Sequence, residues 1–241
     1  MIKLDALQCS FNKQIVLQKT SLEISSHLSI LGANGSGKST LAKAICGLIK
    51  YEGDICIDNT NIQDLALLEK AKTISYIPAK LDIYDSFITV KEFVLQGRFP
   101  HKESLFEYSQ QDKSISEQTL EFLKISHLQE HTVHSLSSGE QQLVLIAQAL
   151  TQQSKIIIFD EPTANLDPHN TKIIAQHIKG LQQYHQVILI THDLHLAQYM
   201  QSPILFIKDS HTSYYEKNFF NDSTLSELYG VAFKNLVASY D

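Results

Sequence analysis

The sequence lacks any long apolar run. Its richest apolar stretches, 155–159 and 186–191, have the length of strands, whereas a helix that crosses a bilayer needs about 20 apolar residues. The first residues also lack the basic region, apolar stretch and small-residue cleavage site of a secretion signal, so we expect the chain to stay in the cytosol. Internal repeats and low-complexity tracts are missing as well. These absences predict a folded globular protein.

Cysteine and positive charge are both scarce. The three cysteines, Cys9, Cys46 and Cys56, are odd in number and irregularly spaced, which fits neither a disulfide framework nor a metal site. We expect reduced, mostly buried thiols. The formal net charge is -6, with 20 Lys and Arg against 26 Asp and Glu. This balance favours protein or small-molecule partners over nucleic acid, which usually requires a basic face.

The chain instead contains alternating strand and helix patterns. Apolar and polar residues partly alternate over 1–9 and 15–24, which predicts an antiparallel hairpin with its turn at 11–14. Further along, the predicted elements are a strand at 27–31, a helix at 38–49, strands at 52–58 and 73–78, a helix at 139–152, a strand at 155–160, a helix at 171–184 and a strand at 186–191. Alternation of this kind indicates an α/β fold with a mostly parallel sheet covered by helices.

A polar, helix-like stretch interrupts this alternation from about residue 87 to 135, rich in Glu, Gln, Lys and Ser. We interpret it as a helical subdomain inserted into a single domain of residues 1–241. The tail from Ser210 onward shows only weak patterns.

A glycine-rich segment follows the predicted strand at 27–31 and precedes a predicted helix, the context expected of a phosphate-binding loop. Small residues let backbone N–H groups surround phosphates, and the helix N-terminus adds the positive end of its dipole. Lys38 is predicted to contact the outer phosphates, and the Ser39 hydroxyl to ligate Mg²⁺. An ordinary glycine-rich turn is the alternative. The predicted nucleotide-binding residues here are Gly32, Ala33, Asn34, Gly35, Ser36, Gly37, Lys38, Ser39 and Thr40.

Two carboxylates end the apolar strand at 155–160. Parallel α/β sheets place their ligands at the C-terminal edge of the strands. Asp160 is therefore predicted to hold Mg²⁺, through water, and Glu161 to polarise an attacking water as a general base. Without the phosphate loop, the pair would be interpreted as two acids that begin a loop before Pro162.

The segment Leu136-Ser137-Ser138-Gly139-Glu140 resembles the LSGGQ signature of the ABC ATPase family, although Ser138 and Glu140 depart from it. Taken alone, it is also a capping sequence for the next helix. The resemblance implies that Ser137, Ser138, Gly139 and Glu140 cap the γ-phosphate of ATP held by a second subunit, in a head-to-tail dimer.

Other segments are similar to further motifs of that family. Residues 165–167 resemble its D-loop, His192 resembles its switch histidine, which contacts the γ-phosphate, and Phe11 lies where the family places an adenine-stacking aromatic residue. A structural histidine and a hairpin-tip or core phenylalanine are the alternatives. The resemblance covers residues 1–208 and implies a P-loop ABC-type ATPase core with an antiparallel β subdomain, in which Glu161, His192 and Lys38 are catalytic and ATP and Mg²⁺ are bound.

The resemblance also implies a peripheral subunit on the cytoplasmic side of the membrane, bound to integral membrane permease subunits that receive cargo from an extracytoplasmic substrate-binding protein. One departure concerns that coupling. Ala79 replaces the family's usual glutamine, which ligates magnesium and contacts the membrane subunit. We therefore expect slow or weakly coupled hydrolysis.

Residues 88–101, which include Arg98, the sequence's one arginine, resemble a segment of ATPases that serve importers of iron-siderophore, haem and cobalamin. We interpret Arg98 as functional; a surface charge at a helix end is the alternative. Residues 228–231 are similar to the tail of the same ATPases. Conversely, Lys80-Leu81 and residues 192–196 resemble zinc and manganese importer ATPases. A soluble ABC ATPase that acts outside transport is a third hypothesis.

Overall fold

The structure is a computed structural model that describes residues 1–12, 14–80, 85–103, 107–234 and 240. The chain divides into two compact units, called here unit 1 (Met1–Leu65 with Gln186–Asp241) and unit 2 (Ala66–His185). The strands are β1 Ile2–Phe11, β2 Gln14–Ile24, β3 Leu28–Gly32, β4 Glu52–Ile57, β5 Thr60–Asn61, β6 Ile74–Ile77, β7 Ile156–Asp160, β8 Gln186–Ile190, β9 Ile204–Lys208 and β10 His211–Tyr215. The α-helices are α1 Lys38–Ile45, α2 Leu67–Thr73, α3 Val90–Leu95, α4 Gln110–Phe122, α5 Ser138–Thr151, α6 Pro168–Leu181, α7 Leu194–Met200 and α8 Asp222–Tyr229.

Unit 1 contains an antiparallel sheet and a set of parallel strands. In the antiparallel sheet, β1 lies between β2 and β4, and β5 borders β4. The predicted hairpin is confirmed, although Phe11 belongs to β1 and Lys13 lies outside the described residues. Among the parallel strands, β3 pairs with β8 on one side and β9 on the other, and β10 runs antiparallel to β9. The phosphate loop therefore leaves the C-terminal end of a central strand.

All five residues of β3 are buried. This explains why the strand is mostly apolar and does not alternate between apolar and polar residues. An apolar cluster on one side of it joins the strand to the C-terminal part of the unit. Its buried members are Leu31, Ala197, Ile204, Phe206, Phe219 and Leu225. The half-buried Tyr229 and Phe233 pack against this cluster, so the tail with weak sequence patterns is part of the core.

The described residues of unit 2 form the parallel pair β6 and β7, the α-helices α2 to α6 and short 3-10 helices. The described residues between 87 and 135 form helices and turns, and β pairing among them is limited to one bridge between Thr89 and Thr132. This agrees with the predicted helical character of the stretch, whereas its standing as a subdomain of one 1–241 domain stays a prediction. Helix α6 begins at Pro168 and not at Thr171, because Asp167 caps it and proline is favourable in the first turn.

In the part of the chain that the structure describes, no helix combines the length and the apolar character needed to span a membrane.

Candidate functional site

The phosphate loop turns sharply into α1 through glycine. Gly37, the residue before the helix, has φ of 104°, a left-handed conformation that side chains rarely adopt. A Cβ atom at this position would lie 3.1 Å from the carbonyl oxygen of Val16 and 3.2 Å from its Cγ1. Gly37 also has no side chain to cap α1, and Lys38, Ser39 and Thr40 add no acid to the first turn. The backbone N–H groups that begin this helix are thus suited to an anion.

Lys38 is buried inside the loop, with 5% of its surface exposed. Its ammonium group donates hydrogen bonds of 2.9 Å to the carbonyl oxygen of Gly32 and 3.0 Å to that of Ala33. A buried charge needs such partners to offset its desolvation. The loop therefore already holds the cation against its own backbone, where phosphate oxygens can replace the carbonyls.

A cavity of about 490 Å³ borders the same loop. Its walls include residues 33–36 of the loop, residues 14–16 at the start of β2, and Tyr229 of α8. Among the residues that the structure describes, the buried hydroxyl oxygens of Ser36 and Tyr229 have no hydrogen-bond partner, which is uncommon for polar atoms unless a ligand or water completes the site. Neither residues 14–16 nor Tyr229 were predicted from sequence, because only the pairing of β2 and the packing of α8 bring them to the loop.

Phe11 ends β1 with 59% of its surface exposed. It is therefore neither a core residue nor a member of the cavity wall, and the exposed ring is accessible for stacking. Its predicted contact with adenine stays a prediction.

Asp160 and Glu161 lie at the end of β7, as predicted, but in different environments. Asp160 is buried, with 4% of its surface exposed, and its Oδ2 accepts a 2.7 Å hydrogen bond from the Tyr76 hydroxyl. Glu161 is half-buried and has φ of 50°, a left-handed conformation that costs a residue with a side chain about 1 kcal/mol. Backbone strain of this kind clusters at functional sites.

The signature-like segment begins α5 through a capping box. The Ser137 backbone N–H and hydroxyl donate to Oε2 of Glu140 at 2.9 and 2.7 Å, and the Glu140 N–H donates back to the Ser137 hydroxyl oxygen at 3.4 Å. These hydrogen bonds from Ser137 lower the pKa of Glu140. The capping interpretation is thus confirmed, while contacts of Ser137, Ser138, Gly139 and Glu140 with nucleotide stay predictions.

Gly139 joins the signature-like segment to the D-loop-like residues at the start of α6. A Cβ atom on Gly139 would lie 2.5 Å from Cγ of Asn170, whose backbone N–H donates to Oδ1 of Asp167 at 3.0 Å. A side chain at position 139 would therefore have to displace the Asn170 amide. Asn170 was not singled out from sequence, since nothing in its local pattern shows that it meets another helix.

His192 is exposed in the short connection between β8 and α7. Its neighbours fix this connection: the Asp193 N–H donates to Oγ1 of Thr191 at 3.0 Å, and Oδ1 of Asp193 accepts from the His195 N–H at 2.8 Å. The side chain thus follows a buried parallel strand at its C-terminal end, on the edge where α/β sheets bind ligands. The switch role of His192 stays a prediction.

Arg98 is buried, so the surface-charge alternative is wrong. Its Nε donates to Oδ1 of Asp112 at 2.8 Å, and its Nη1 donates to the carbonyl oxygen of Thr151 at 2.9 Å and to Oε1 of Gln153 at 2.7 Å. Desolvation raises the pKa of Asp112, but hydrogen bonds from Arg98 and Ser109 outweigh it and leave the pKa below its ordinary value. Arg98 therefore has a structural role: its hydrogen bonds connect the helical stretch to the end of α5. Leu81 belongs to the segment that resembles zinc and manganese importer ATPases, and it lies outside the described residues.

Comparison with known proteins identifies the family. The model of the ABC transporter family matches residues 17–164. An uncharacterized ABC transporter ATP-binding protein of Methanocaldococcus jannaschii is 33% identical over 238 residues, which cover 96% of this chain and 92% of that protein. A petrobactin import ATP-binding protein of Bacillus anthracis is 32% identical, with 84% of this chain and 76% of that protein covered.

A solved structure with the same fold is a dimeric ATP-binding cassette bound to ADP and Pi in a post-hydrolysis state. It matches with a TM-score of 0.76 at 26% identity and covers 91% of this chain and 100% of that one. The family match extends over more than half of the sequence and includes the phosphate loop, Asp160 and Glu161. This chain therefore belongs to the ABC transporter family, as one of its ATP-binding ATPase subunits.

Proposed function

We propose that this subunit powers an importer of metal chelates of the iron-siderophore, haem or cobalamin class. The observation that carries the ATPase part is the phosphate loop, whose buried Lys38 and uncapped helix N-terminus form a receptor for an anion. Support for the cargo comes from the petrobactin import relative and from the segment at 88–101. The zinc or manganese alternative and the non-transport alternative have less support, because the two relatives are named for transport and one of them for petrobactin import.

In this proposal, unit 1 binds the phosphates. The Lys38 ammonium exchanges its loop carbonyls for the outer phosphate oxygens of ATP, and the N–H groups at the start of α1 contact the remaining oxygens. Phosphoryl transfer demands little covalent chemistry from a protein, so positioning and charge neutralisation are the main contributions of these groups.

Ser39 and Asp160 are proposed as magnesium ligands. Hydroxyl and carboxylate oxygens are the hard donors that Mg²⁺ prefers, and the buried Asp160 is held in place by Tyr76, so the donor chemistry fits. When bound, the ion would neutralise charge on the transferred phosphate. Glu161 is proposed to polarise the attacking water, and His192 to contact the γ-phosphate.

Catalysis is proposed to require two copies of the chain arranged head to tail. Ser137, Ser138, Gly139 and Glu140 of one copy would cap the γ-phosphate bound by the other copy. The solved cassette with ADP and Pi is dimeric, which supports the proposal of two copies. The permease subunits of the membrane would dock near Ala79 and the helical stretch, whose Phe87 and Phe99 are 85% and 62% exposed. The subunit is proposed to lie on the cytoplasmic side, with a separate substrate-binding protein that delivers cargo from the other side.

Glu161→Gln tests the ATPase mechanism in the complex with its permease. We expect ATP hydrolysis to fall at least about 100-fold, because a general base contributes that much or more, while ATP binding measured by calorimetry is retained. In size-exclusion chromatography of the subunit without its permease, ATP should then hold this variant as a dimer. Glu117→Gln, on the exposed surface of α4, is the control and should leave the rate unchanged. A Glu161→Gln protein with the wild-type rate would contradict the mechanism.

The cargo is tested in cells that carry Glu161→Gln in the chromosomal gene. We expect growth to fail when an iron chelate is the sole iron source, and to continue under zinc or manganese limitation. Failure only under zinc or manganese limitation would instead support the alternative importer class.

A further inference from the structure

Tyr76 contacts the carboxylate that the proposed function assigns to magnesium. Its hydroxyl donates a 2.7 Å hydrogen bond to Oδ2 of Asp160. Both residues belong to unit 2, Tyr76 on β6 and Asp160 at the end of β7. A hydroxyl-to-carboxylate bond of this length is charge-assisted and about twice as strong as a neutral one.

The register of the two strands explains the contact. Strands β6 and β7 are parallel, with Tyr76 opposite Ile158 and Ile77 opposite Phe159. Because side chains alternate between the faces of a sheet, Tyr76, Ile158 and Asp160 share one face. The ring of tyrosine is long enough to pass the Ile158 level and place its hydroxyl at Asp160. A shorter hydroxyl side chain at position 76 would not span this offset.

The burial of Asp160 makes its carboxylate depend on the hydrogen bond from Tyr76. Asp160 is 4% exposed, so its carboxylate has little access to bulk water and depends on hydrogen-bond donors for its solvation. A donor on Oδ2 also restricts rotation of the carboxylate about its Cβ–Cγ bond. Groups that orient a metal ligand in this way contribute strongly to metal affinity.

Ser75 and Ala79, two described residues near Tyr76, do not offer the same contact. Ser75 points its hydroxyl elsewhere, toward the carbonyl oxygen of Ala149 and the hydroxyl of Ser154. Ala79, after the strand, has only a methyl group. Within the described part of β6, Tyr76 is therefore the side chain through which this strand acts on Asp160.

We propose that Tyr76 is a positioning residue for Asp160: its hydroxyl fixes the carboxylate in the orientation that receives the magnesium ion of the bound nucleotide. The proposal rests on the proposed function, because it needs Asp160 to bind the metal. It goes beyond that function by giving β6, the strand that precedes Ala79, a specific role in metal binding without a metal ligand of its own.

Tyr76→Phe tests the proposal, because it removes the hydroxyl and keeps the ring. Ser75→Ala is the matched control, since it removes a buried hydroxyl from the same strand without touching Asp160. The direct readout is Mn²⁺ affinity in the presence of ADP, measured by electron paramagnetic resonance. We expect Tyr76→Phe to weaken Mn²⁺ binding about 10-fold and Ser75→Ala to leave it unchanged.

A kinetic readout separates positioning from a general loss of structure. For Tyr76→Phe, the Mg²⁺ concentration that gives half-maximal ATPase activity should rise about 10-fold, whereas kcat at saturating Mg²⁺ and the KM for ATP should remain near wild type. Unchanged Mn²⁺ affinity in Tyr76→Phe, or equal weakening in Ser75→Ala, would overturn the proposal.

Asp160→Asn distinguishes the two levels of inference. If Asp160→Asn loses Mn²⁺ binding but Tyr76→Phe does not, the positioning role is wrong and the metal assignment stands. If Asp160→Asn itself binds Mn²⁺ as tightly as wild type, the metal assignment within the proposed function is wrong, and the positioning role is overturned with it.

Discussion

Two short Ser- and Gly-rich segments each begin a helix. One leaves the helix N-terminus without a side-chain cap, and the other caps it. Before α1, Gly37 offers no capping side chain and the first turn carries no acid. Before α5, Ser137 and Glu140 form a reciprocal cap that satisfies backbone N–H groups and brings a carboxylate to the positive end of the dipole. The helix N-terminus of α1 is therefore suited to an external anion, whereas that of α5 is already neutralised from within.

The absence of a cap before α1 and its presence before α5 also suit the two segments to different roles. The phosphate loop gains its binding capacity from backbone groups that the fold leaves without side-chain caps. The signature-like segment satisfies its own helix N-terminus through Ser137 and Glu140, and it exposes Ser137 and Ser138 to solvent. For the proposed dimer, this means one segment that receives phosphate and one that covers it.

Lys38→Ala tests whether the segment before α1 binds phosphate. The charge-assisted hydrogen bonds that Lys38 would donate to phosphate should be lost, so we expect ATP affinity to fall about 10- to 100-fold in isothermal titration calorimetry. Lys43→Ala, an exposed lysine on the same helix, should bind ATP as wild type does. Equal affinity in the two variants would show that α1 does not present the phosphate site.

Gly139→Ala tests how closely the signature-like segment packs against Asn170 of α6. The added methyl group would meet the Asn170 side chain at 2.5 Å, so we expect a loss of about 1–3 kcal/mol in the free energy of unfolding from overpacking. Gly180→Ala is the matched variant, because its exposed position on α6 leaves open space around the methyl group. There alanine should gain up to about 0.5–1 kcal/mol through helix propensity. Urea denaturation measures both, and a stabilised Gly139→Ala would refute the close contact.

Ser137→Ala should have the smallest effect. Loss of this cap is expected to cost about 1 kcal/mol at neutral pH. The Ser137 hydrogen bonds hold the pKa of Glu140 below its ordinary 4.5, so their contribution is complete above that pH and declines as the pH falls through the lowered pKa. The difference between wild type and Ser137→Ala in urea denaturation should therefore shrink in strong acid. Ser138→Ala, one residue later and exposed, is the control, and a pH-independent difference would argue against the capping box.

Sequence patterns predicted the elements with strong local character. Strands β3, β7 and β8 are short apolar runs with loops after them, and α1 and α5 begin at recognisable glycine or capping residues. The predicted end of α1 was too late, since the helix stops at Ile45 and Cys46 caps it. Strands β9 and β10 and helices α7 and α8 were missed, because such short elements depend on tertiary packing more than on their own periodicity.

The sequence by itself determined the family of this protein and pointed to the loop that we propose binds phosphate, because both depend on residue types at fixed local spacing. Only the tertiary structure decided that Arg98 is buried against Asp112, that Gly139 must be small beside Asn170, and that Tyr76 reaches Asp160. Each of these pairs joins residues from different elements. Strand register and helix packing set their distance, and no local pattern contains that information.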